Sequence, residues 1–332
     1  MLTFWKQQIN GSNYLVKQRF TFLSFLFLSS IGCQSWGEFW TVSNDEQKPC
    51  ACAWELRAMP SSHIWSAVTF GNGIFVAVAS DAAVAATSLD GRNWTQRTMP
   101  VAAEWTSVTY GNGLFVAVGG GSGGPTDEVA RSVDGINWVS SAVLPSAEDW
   151  SSVAFGNGLF ATLARGTTNG ATSADGVSWT SRILPYNINW SAISFGNGSF
   201  FGIADTSPQA TASSGVTWLG RGLPLSIQWS SIAYGNSCFV AVASGGNISV
   251  RSTDALSWSQ NTLPMSLNWK SITYGGGLFV TVPDGGANAA TSVDGISWTR
   301  QNLPVSANWK AAAYGNGVYV AVASGTTAAV SK

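Results

Sequence analysis

The sequence is poor in charged residues and in histidine. Charged residues make up only 10% of its 332 residues, against roughly 25% in an ordinary globular domain. The formal net charge is −1, and a nucleic-acid partner is excluded because such a partner requires a basic patch. The single histidine, His63, leaves little basis for an imidazole metal centre or acid–base site. We expect no metal and no cofactor.

Hydrophobic and aromatic residues are plentiful. Hydrophobic residues make up 45% of the chain, and it contains 37 glycines and 17 tryptophans. Valine, threonine, serine, tryptophan and phenylalanine prevail over the usual helix formers. This composition supports a packed core and predicts an all-β fold.

The N-terminal segment has the pattern of an export signal. Basic residues precede a short apolar run at 20–28 (FTFLSFLFL), and small residues follow it up to Cys33. The run is shorter than the ~20 residues of a membrane-spanning helix, so we predict a signal peptide at 1–32. The new N-terminal Cys33 resembles that of a bacterial lipoprotein, although Ser30 stands where that family usually has leucine. Lipidation of Cys33 and simple secretion are both open, and a buried core strand is the third alternative.

Residues 33–49 read as a tether to a domain at 50–332. The predicted location is therefore outside the cytoplasm, in the medium, at the outer cell surface or in the periplasm. Cys50 and Cys52 lack zinc-site spacing, and a disulfide involving them stays open. Cys238 occupies a strand position held elsewhere by aliphatic residues or serine and is predicted to be a buried small hydrophobe.

Three series of residues recur at intervals of 39 to 45 residues. The first tryptophan series is Trp65, Trp105, Trp150, Trp190, Trp229, Trp269 and Trp309. The second is Trp54, Trp94, Trp138, Trp179, Trp218, Trp258 and Trp298. A proline lies five residues before each member of the first series, at Pro60, Pro100, Pro145, Pro185, Pro224, Pro264 and Pro304. Such a period indicates a repeat architecture.

Each unit reads as four short strands. In the first unit they are 65–70 (strand a), 74–80 (strand b), 84–89 (strand c) and 94–98 (strand d). Asn-Gly between strands a and b is a strong hairpin signal. The unit is expected to end at its proline, which cannot donate to a ladder. Four strands in about 40 residues match one blade of a β-propeller.

The two ends of the repeat region complement each other. The last repeat begins at Trp309 and supplies strands a, b and c, whereas Ala53–Pro60 reads as a strand d alone. Pairing these segments removes an open sheet edge. We therefore predict a seven-bladed β-propeller of four-stranded antiparallel blades, closed by an N-terminal outer strand on the C-terminal blade.

The turn between strands c and d reads S-x-D-G-x-x-W in four repeats. It resembles the Asp-box, or bacterial neuraminidase repeat, of sialidases and of many non-enzymatic propellers. That family usually has one more residue between Asp and Gly, and two copies here depart further, with Ser214 and Ala255 in place of Asp and Gly. The resemblance implies that the box is a folding element. Its aspartates are Asp90, Asp134, Asp175, Asp254 and Asp294.

The residues themselves favour that structural role. An aspartate can accept backbone N–H groups across the turn, and glycine permits a positive φ. Calcium binding is the alternative, but one carboxylate per turn supplies too few oxygens.

A sialidase would need further residues. The family resemblance implies an arginine triad, a Tyr–Glu pair and a Phe/Tyr-Arg-Ile-Pro motif, and that motif is absent. The sequence at 182–185 (RILP) is explained by the repeat, and glutamate is scarce. Nothing marks a glycosidase carboxylate pair. The sequence predicts that the protein is not an enzyme, with a sialidase-like glycoside hydrolase as an alternative.

The b–c loops differ between repeats, whereas the a–b and c–d turns are nearly constant. Loops on a rigid scaffold often carry function, and the d–a loops share the face of the b–c loops. The candidate binding residues there are Glu104, Asp149, Tyr186, Asn189, Gln228, Asn268 and Asn308. Capping of the d–a turn is the alternative role of the polar residues. Lys270 and Lys310 follow first-series tryptophans in adjacent repeats and indicate a small positive spot near the axis.

Together these patterns predict a non-catalytic extracellular binding module for a protein or surface polymer. A glycan-binding lectin is the main alternative, so the expected partner is a protein or a carbohydrate. A membrane is expected only through an N-terminal lipid anchor, and the protein is expected to be a monomer.

Overall fold

The computed structural model describes residues 7–9, 12–14, 53–120, 124–141, 143–205 and 209–331. The chain divides into two compact units, Met1–Ser43 and Asn44–Lys332. The first contains an antiparallel hairpin of β1 (Gln7–Ile9) and β2 (Ser12–Tyr14).

Several predicted N-terminal features lie outside the described residues. They are the apolar run at 20–28, the tether at 33–49, and Cys33, Cys50 and Cys52. None of the described segments forms a helix with the length and hydropathy of a membrane span.

The second unit is all-β and antiparallel. Its first strands are β3 (Trp54–Gly71), β4 (Ile74–Ala79), β5 (Val84–Ser88) and β6 (Thr95–Thr98). The next are β7 (Trp105–Gly111), β8 (Leu114–Gly119), β9 (Val129–Ser132), β10 (Val139–Ser140), β11 (Trp150–Gly156), β12 (Leu159–Ala164), β13 (Thr167–Ser173) and β14 (Thr180–Ile188). They are followed by β15 (Trp190–Gly196), β16 (Ser199–Ala204), β17 (Gln209–Ser213), β18 (Leu219–Gly222), β19 (Trp229–Gly235), β20 (Cys238–Ala243), β21 (Gly246–Ser252) and β22 (Ser259–Leu267). The last are β23 (Trp269–Gly275), β24 (Leu278–Pro283), β25 (Asn288–Ser292), β26 (Thr299–Asn302), β27 (Trp309–Gly315) and β28 (Val318–Ser331).

Five four-stranded sheets are separate, and each consists of four consecutive strands from β7 to β26. The other strands form one six-stranded sheet in the order β27-β28-β3-β4-β5-β6. The predicted seven four-stranded blades, with closure confined to the last blade, therefore differ from the sheets observed, which are five four-stranded and one six-stranded. The physical reason is that β28 continues from strand b into strand c, and β3 continues from strand d into strand a, so their ladders join.

The register of the six-stranded sheet follows from those two long strands. The beginning of β3 pairs with the end of β28, from Trp54 opposite Ser331 to Ala58 opposite Thr327. The later part of β3 pairs with β4, from Trp65 to Gly71.

The seven strands that contain the first-series tryptophans pack side by side around an axis. β3, β7, β11, β15, β19, β23 and β27 contact one another in that order, and β27 also contacts β3. Sheets that radiate from such an axis define a β-propeller.

A close approach of glycine to an aromatic ring joins neighbouring sheets. A Cβ on Gly156, at the end of β11, would lie 2.0 Å from Cγ of Phe195 in β15. The other pairs are Gly71 with Tyr110, Gly111 with Phe155, Gly196 with Tyr234, Gly235 with Tyr274, Gly275 with Tyr314 and Gly315 with Phe70. No larger residue fits at these positions without moving the ring.

The core is divided among the interfaces between neighbouring sheets. All seven first-series tryptophans are fully buried. One such interface joins Phe201, Trp229 and Phe239 in a single apolar cluster. Since burial of a large apolar side chain contributes about 1.5–3 kcal/mol, each interface is a substantial source of stability. The first-series tryptophans are packing residues and are not available as exposed sugar-stacking platforms.

Proline does not always end a repeat as predicted. Pro60, Pro185 and Pro264 lie inside β3, β14 and β22. Each lies where the pairing skips residues, as between Ile188 opposite Thr167 and Ile183 opposite Asn169. A proline is tolerated there because these outer segments need no N–H donor at the bulge.

Candidate functional site

One end of the ring, the turn face, carries the a–b and c–d turns. Six asparagines of the a–b turns have φ between 45° and 49°, as a two-residue hairpin turn requires. They are Asn72, Asn112, Asn157, Asn197, Asn236 and Asn316.

The aspartates of the c–d turns accept local hydrogen bonds. Oδ1 of Asp134 accepts the N–H groups of Ile136 and Asn137, both at 2.8 Å, and the hydroxyl of Ser132 at 2.9 Å. Asp90, Asp175, Asp254 and Asp294 make the corresponding three bonds. These oxygens are therefore engaged within the turn. No cluster of three metal-ligating side chains occurs in the described part of the chain.

These bonds also stabilise the ionised carboxylate. The pKa of Asp175 falls from 3.8 to about 2, chiefly because the Ser178 amide donates to it, followed by the Val177 amide and the Ser173 hydroxyl. The pKa of Asp254 falls to about 2 for the same reason, with the Ser257 amide first. Hydrogen bonds to the charged form lower a pKa in this way.

The opposite end, the loop face, carries the b–c and d–a loops. In each repeat the residue before the first-series tryptophan accepts an N–H from the start of the b–c loop. One such bond joins the Arg165 amide to the Asp149 carbonyl at 2.8 Å. The remaining donor–acceptor pairs are Ser80 and Ile64, Gly120 and Glu104, Asp205 and Asn189, Ser244 and Gln228, Asp284 and Asn268, and Ser324 and Asn308. The two loop types are thus joined at one end of the ring.

Six of the seven predicted binding residues accept these hydrogen bonds between the b–c and d–a loops. Gln228, Asn268 and Asn308 are exposed, whereas Glu104, Asp149 and Asn189 are half-buried. Among these six, Glu104 also lines the central cavity. Tyr186 is a packing residue, since a Cβ on Gly220 of β18 would lie 2.2 Å from its hydroxyl oxygen.

A cavity of about 440 Å³ lies on the axis and is lined by residues that follow the first-series tryptophans. Four hydroxyls in its wall donate to the tryptophan carbonyl of the next sheet, and that of Ser230 reaches Trp269 at 2.6 Å. The other donors are Ser66, Thr106 and Ser191. Further along the strands, Val68, Val153 and Ile272 make the wall apolar.

Three basic residues line this cavity: Arg165, Lys270 and Lys310. Nζ of Lys310 lies 2.9 Å from Oδ2 of Asp284, and Nε of Arg165 lies 3.9 Å from Oδ2 of Asp149. Lys270 forms no ion pair with any carboxylate of the described residues.

The environment shifts the pKa of Lys270 and the pKa of Asp149. Burial by the cavity wall lowers the pKa of Lys270, and the nearby Arg165 and Lys310 lower it further, while Asp284 acts in the opposite direction. The Lys270 side chain keeps an exposed surface toward the cavity. Burial raises the pKa of Asp149, against the opposing effect of Arg165.

Sequence reasoning identified Lys270 and Lys310 but missed Arg165 and Asp284. Both of the missed residues begin b–c loops, which share no sequence pattern. A signal was nevertheless available, because each occupies the same slot, the first residue after strand b. An alignment of the repeats on that slot picks out Arg165 and Asp284 as its charged residues beside Asp205.

A second cleft of about 380 Å³ adjoins the central cavity and shares Ser80 and Glu104 with it. Asp81 lines this cleft. Its Oδ1 lies 3.2 Å from Nδ1 of His63 and accepts the Ile64 N–H at 3.1 Å. The single histidine, in β3, therefore contacts the b–c loop at the side of the cleft.

The thiol of Cys238 is buried in β20, as the sequence predicts. It contacts the Gly235 carbonyl at 3.3 Å, and burial raises its pKa. It acts as a small apolar residue of the core.

No protein-family model matches the sequence, and no match was found among curated proteins. Its fold, in contrast, is shared with solved β-propellers. Virginiamycin B lyase from Staphylococcus aureus aligns with a TM-score of 0.74 at 12% identity, over 84% of this chain and 100% of the lyase. YCF48 bound to D1 peptide aligns with a TM-score of 0.67 at 13% identity, over 84% and 94%. The WD40 propeller domain of Doa1 aligns at 0.64 and 12%, over 85% and 97%.

At such low identity these similarities show the fold alone, and the chain has the fold of a β-propeller. They correct one prediction. The expectation that the protein is not an enzyme does not stand, because this fold includes an enzyme, the virginiamycin B lyase. Its basis was the absence of sialidase motifs, which gives no information about other chemistries on this scaffold.

Proposed function

We propose that this protein is a binding module for a peptide or protein segment, which it holds on the loop face over the mouth of the central cavity. The cavity itself is the observation that carries the proposal. It is lined by the exposed, unpaired Lys270 at one end and by aliphatic residues further in. Concave sites with a few polar groups on an apolar wall suit such ligands.

Two structural neighbours support this class of partner. YCF48 has been solved with a D1 peptide, and WD40 domains share the fold. The glycan-binding alternative lacks comparable support, because the seven first-series tryptophans are fully buried and offer no exposed face to a sugar ring.

We further propose that the ring has seven blades. In this view the six-stranded sheet is two blades that share β3 and β28, and the N-terminal segment of β3 completes the last blade. The pairing of Trp54 with Ser331 and the contact of β27 with β3 support it. The c–d turns are proposed to be divergent Asp-boxes, supported by the hydrogen bonds that their aspartates accept.

The proposed location is outside the cytoplasm, by secretion or by a lipid on Cys33. Its support is the basic, apolar and small-residue order of the first 33 residues. Mass spectrometry of the mature N-terminus tests it, since a diacylglyceryl Cys33, a free Cys33 and an uncleaved Met1 have different masses.

The binding proposal is tested by panning a phage-displayed library of random decapeptides against the full-length protein. We expect selected peptides to bind in a titration and to lose affinity when Asn268 and Asn308 are replaced together by arginine. These residues are exposed on the loop face, so the change blocks the surface without disturbing the core. A matched double change to arginine at the exposed Leu89 and Val133 of the c–d turns, on the turn face, should leave binding unchanged.

Two results would overturn the proposal. One is that no peptide is enriched above a control surface. The other is that the turn-face variant loses binding while the loop-face variant retains it. A glycan array on the same preparation tests the lectin alternative, and strong binding of a defined glycan would replace the peptide proposal.

A further inference from the structure

We infer that the mouth of the central cavity is a carboxylate-binding site, in which Lys270 holds the anion between Arg165 and Lys310. The source of the carboxylate is an acidic side chain or chain terminus of the bound peptide, and for that source the inference rests on the proposed function. The site for a small free carboxylate does not depend on it.

The first argument is what lysine replaces at these positions. The equivalent hydroxyls of Ser66, Thr106, Ser191 and Ser230 bond to the tryptophan carbonyl of the next sheet. Where lysine stands at 270 and 310, this hydroxyl hydrogen bond between sheets is lost. It places a long cationic side chain on the cavity wall instead.

The second argument is the balance of charge. Three cations line the cavity, and Glu104 is the one acidic residue among its described lining residues. Asp284 is engaged by Lys310 at 2.9 Å, and Asp149 faces Arg165 at 3.9 Å. Lys270 is left without a carboxylate partner in the described part of the chain. The neighbouring cations Arg165 and Lys310 disfavour the charged form of Lys270, and a bound anion offsets that repulsion.

The third argument is the supply of hydroxyl donors beside Lys270. The Oγ atoms of Ser231 and Ser271 each accept an N–H of the next sheet, from Ile272 and Ala312, at 3.1 Å. Each hydroxyl keeps its own proton for a further acceptor, and both serines line the cavity. A carboxylate has two oxygens and can accept from the ammonium group and a hydroxyl at once.

The pKa of Lys270 supports this geometry. It is lowered by the wall and by the two neighbouring cations, with Asp284 opposing. Glu104 is the remaining titratable group that lines the cavity. A carboxylate bound at Lys270 counters both lowering effects, so its binding should raise the pKa of Lys270.

The test is isothermal titration of the full-length protein with sodium succinate, with a decapeptide of aspartate and glutamate, and with its asparagine and glutamine copy. Lys270→Ser installs the residue that four other repeats use and should fold normally. Loss of one charge-assisted hydrogen bond should weaken succinate and the acidic peptide about 10- to 100-fold. The neutral copy should bind wild type at least about 10-fold more weakly than the acidic peptide. Arg221→Ser, which removes the same charge from the exposed strand β18, is the control and should bind like wild type.

Equal affinity of wild type and Lys270→Ser would overturn the inference, as would equal weakening in both variants. A second readout is NMR of ¹³C-methylated lysines, in which succinate should raise the pKa of Lys270, and an unmoved pKa would overturn the inference. Succinate binding without any peptide ligand from the library would leave this site standing and refute the proposed function. Library peptides that bind wild type and Lys270→Ser with equal affinity would support the proposed function and refute the carboxylate site.

Discussion

The two ends of the ring are built from the same repeats, but their side chains are nearly constant at one end and vary at the other. The turn face repeats one solution: an Asn-Gly hairpin, a glycine against an aromatic ring, and an aspartate that accepts local N–H groups. On the loop face only the backbone bond between the b–c and d–a loops is constant, and the side chains vary. Constancy at one end therefore reflects packing between sheets, and variety at the other leaves room for recognition.

The largest expected effect breaks the packing of the turn face. Gly156→Ala places a Cβ 2.0 Å from the Phe195 ring, and such overpacking should cost about 3 kcal/mol or more. Gly246→Ala on the loop face meets nothing within 4 Å and should stay within about 0.5 kcal/mol of wild type. Urea unfolding of the two variants checks the contrast, and equal losses would contradict it.

A substitution in a c–d turn should have a smaller effect on stability. Another repeat already carries alanine at the equivalent position and so serves as a comparison. Gly295 has φ 72°, and an added Cβ would lie 2.5 Å from Cγ2 of Val240. Gly295→Ala should therefore cost about 2 kcal/mol. Ala255 already occupies the equivalent position at φ 59°, so Ala255→Gly should change stability by less than about 1 kcal/mol, since relief of strain is offset by loss of a buried methyl group. Thermal unfolding of both variants tests this pair.

One buried hydroxyl sets the last repeat apart. The Tyr319 hydroxyl donates to the Gly275 carbonyl of the neighbouring sheet, whereas the equivalent residues of the other repeats are phenylalanines. Tyr319→Phe should cost about 1 kcal/mol, because the carbonyl loses its donor. Tyr314→Phe, at a half-buried position, is the control and should cost less. Denaturant titration decides between these outcomes.

The smallest expected effect is a change in the pH dependence of stability below pH 5. Because the folded-state pKa of Asp175 and of Asp254 is about 2, against 3.8 ordinarily, the unfolded chain binds more protons between these values. Their stabilisation is complete above about pH 5 and is lost as the pH falls toward 2. Asp175→Asn together with Asp254→Asn should flatten the dependence of the melting temperature on pH between 5 and 2. An unchanged slope would show that the turns do not hold ionised carboxylates.

Much of this contrast could be predicted from sequence, because it depends on local chemistry that recurs. The tryptophan and proline series located the strands, and the Asn-Gly and Asp-Gly turns marked the constant end. The joined sheet escaped prediction, since whether β3 continues through Pro60 depends on its partner strand. The meeting of Arg165, Asp284 and Lys270 was also not predicted, because residues 14 to 119 positions apart meet only once the ring has formed.

The most direct test of the account is hydrogen–deuterium exchange of the full-length protein with and without the acidic decapeptide. We expect slower exchange in the b–c and d–a loops that carry Arg165, Asn268 and Asp284, and unchanged exchange in the Asn-Gly turns. Protection confined to the turn face would contradict the claim that recognition belongs to the variable end of the ring.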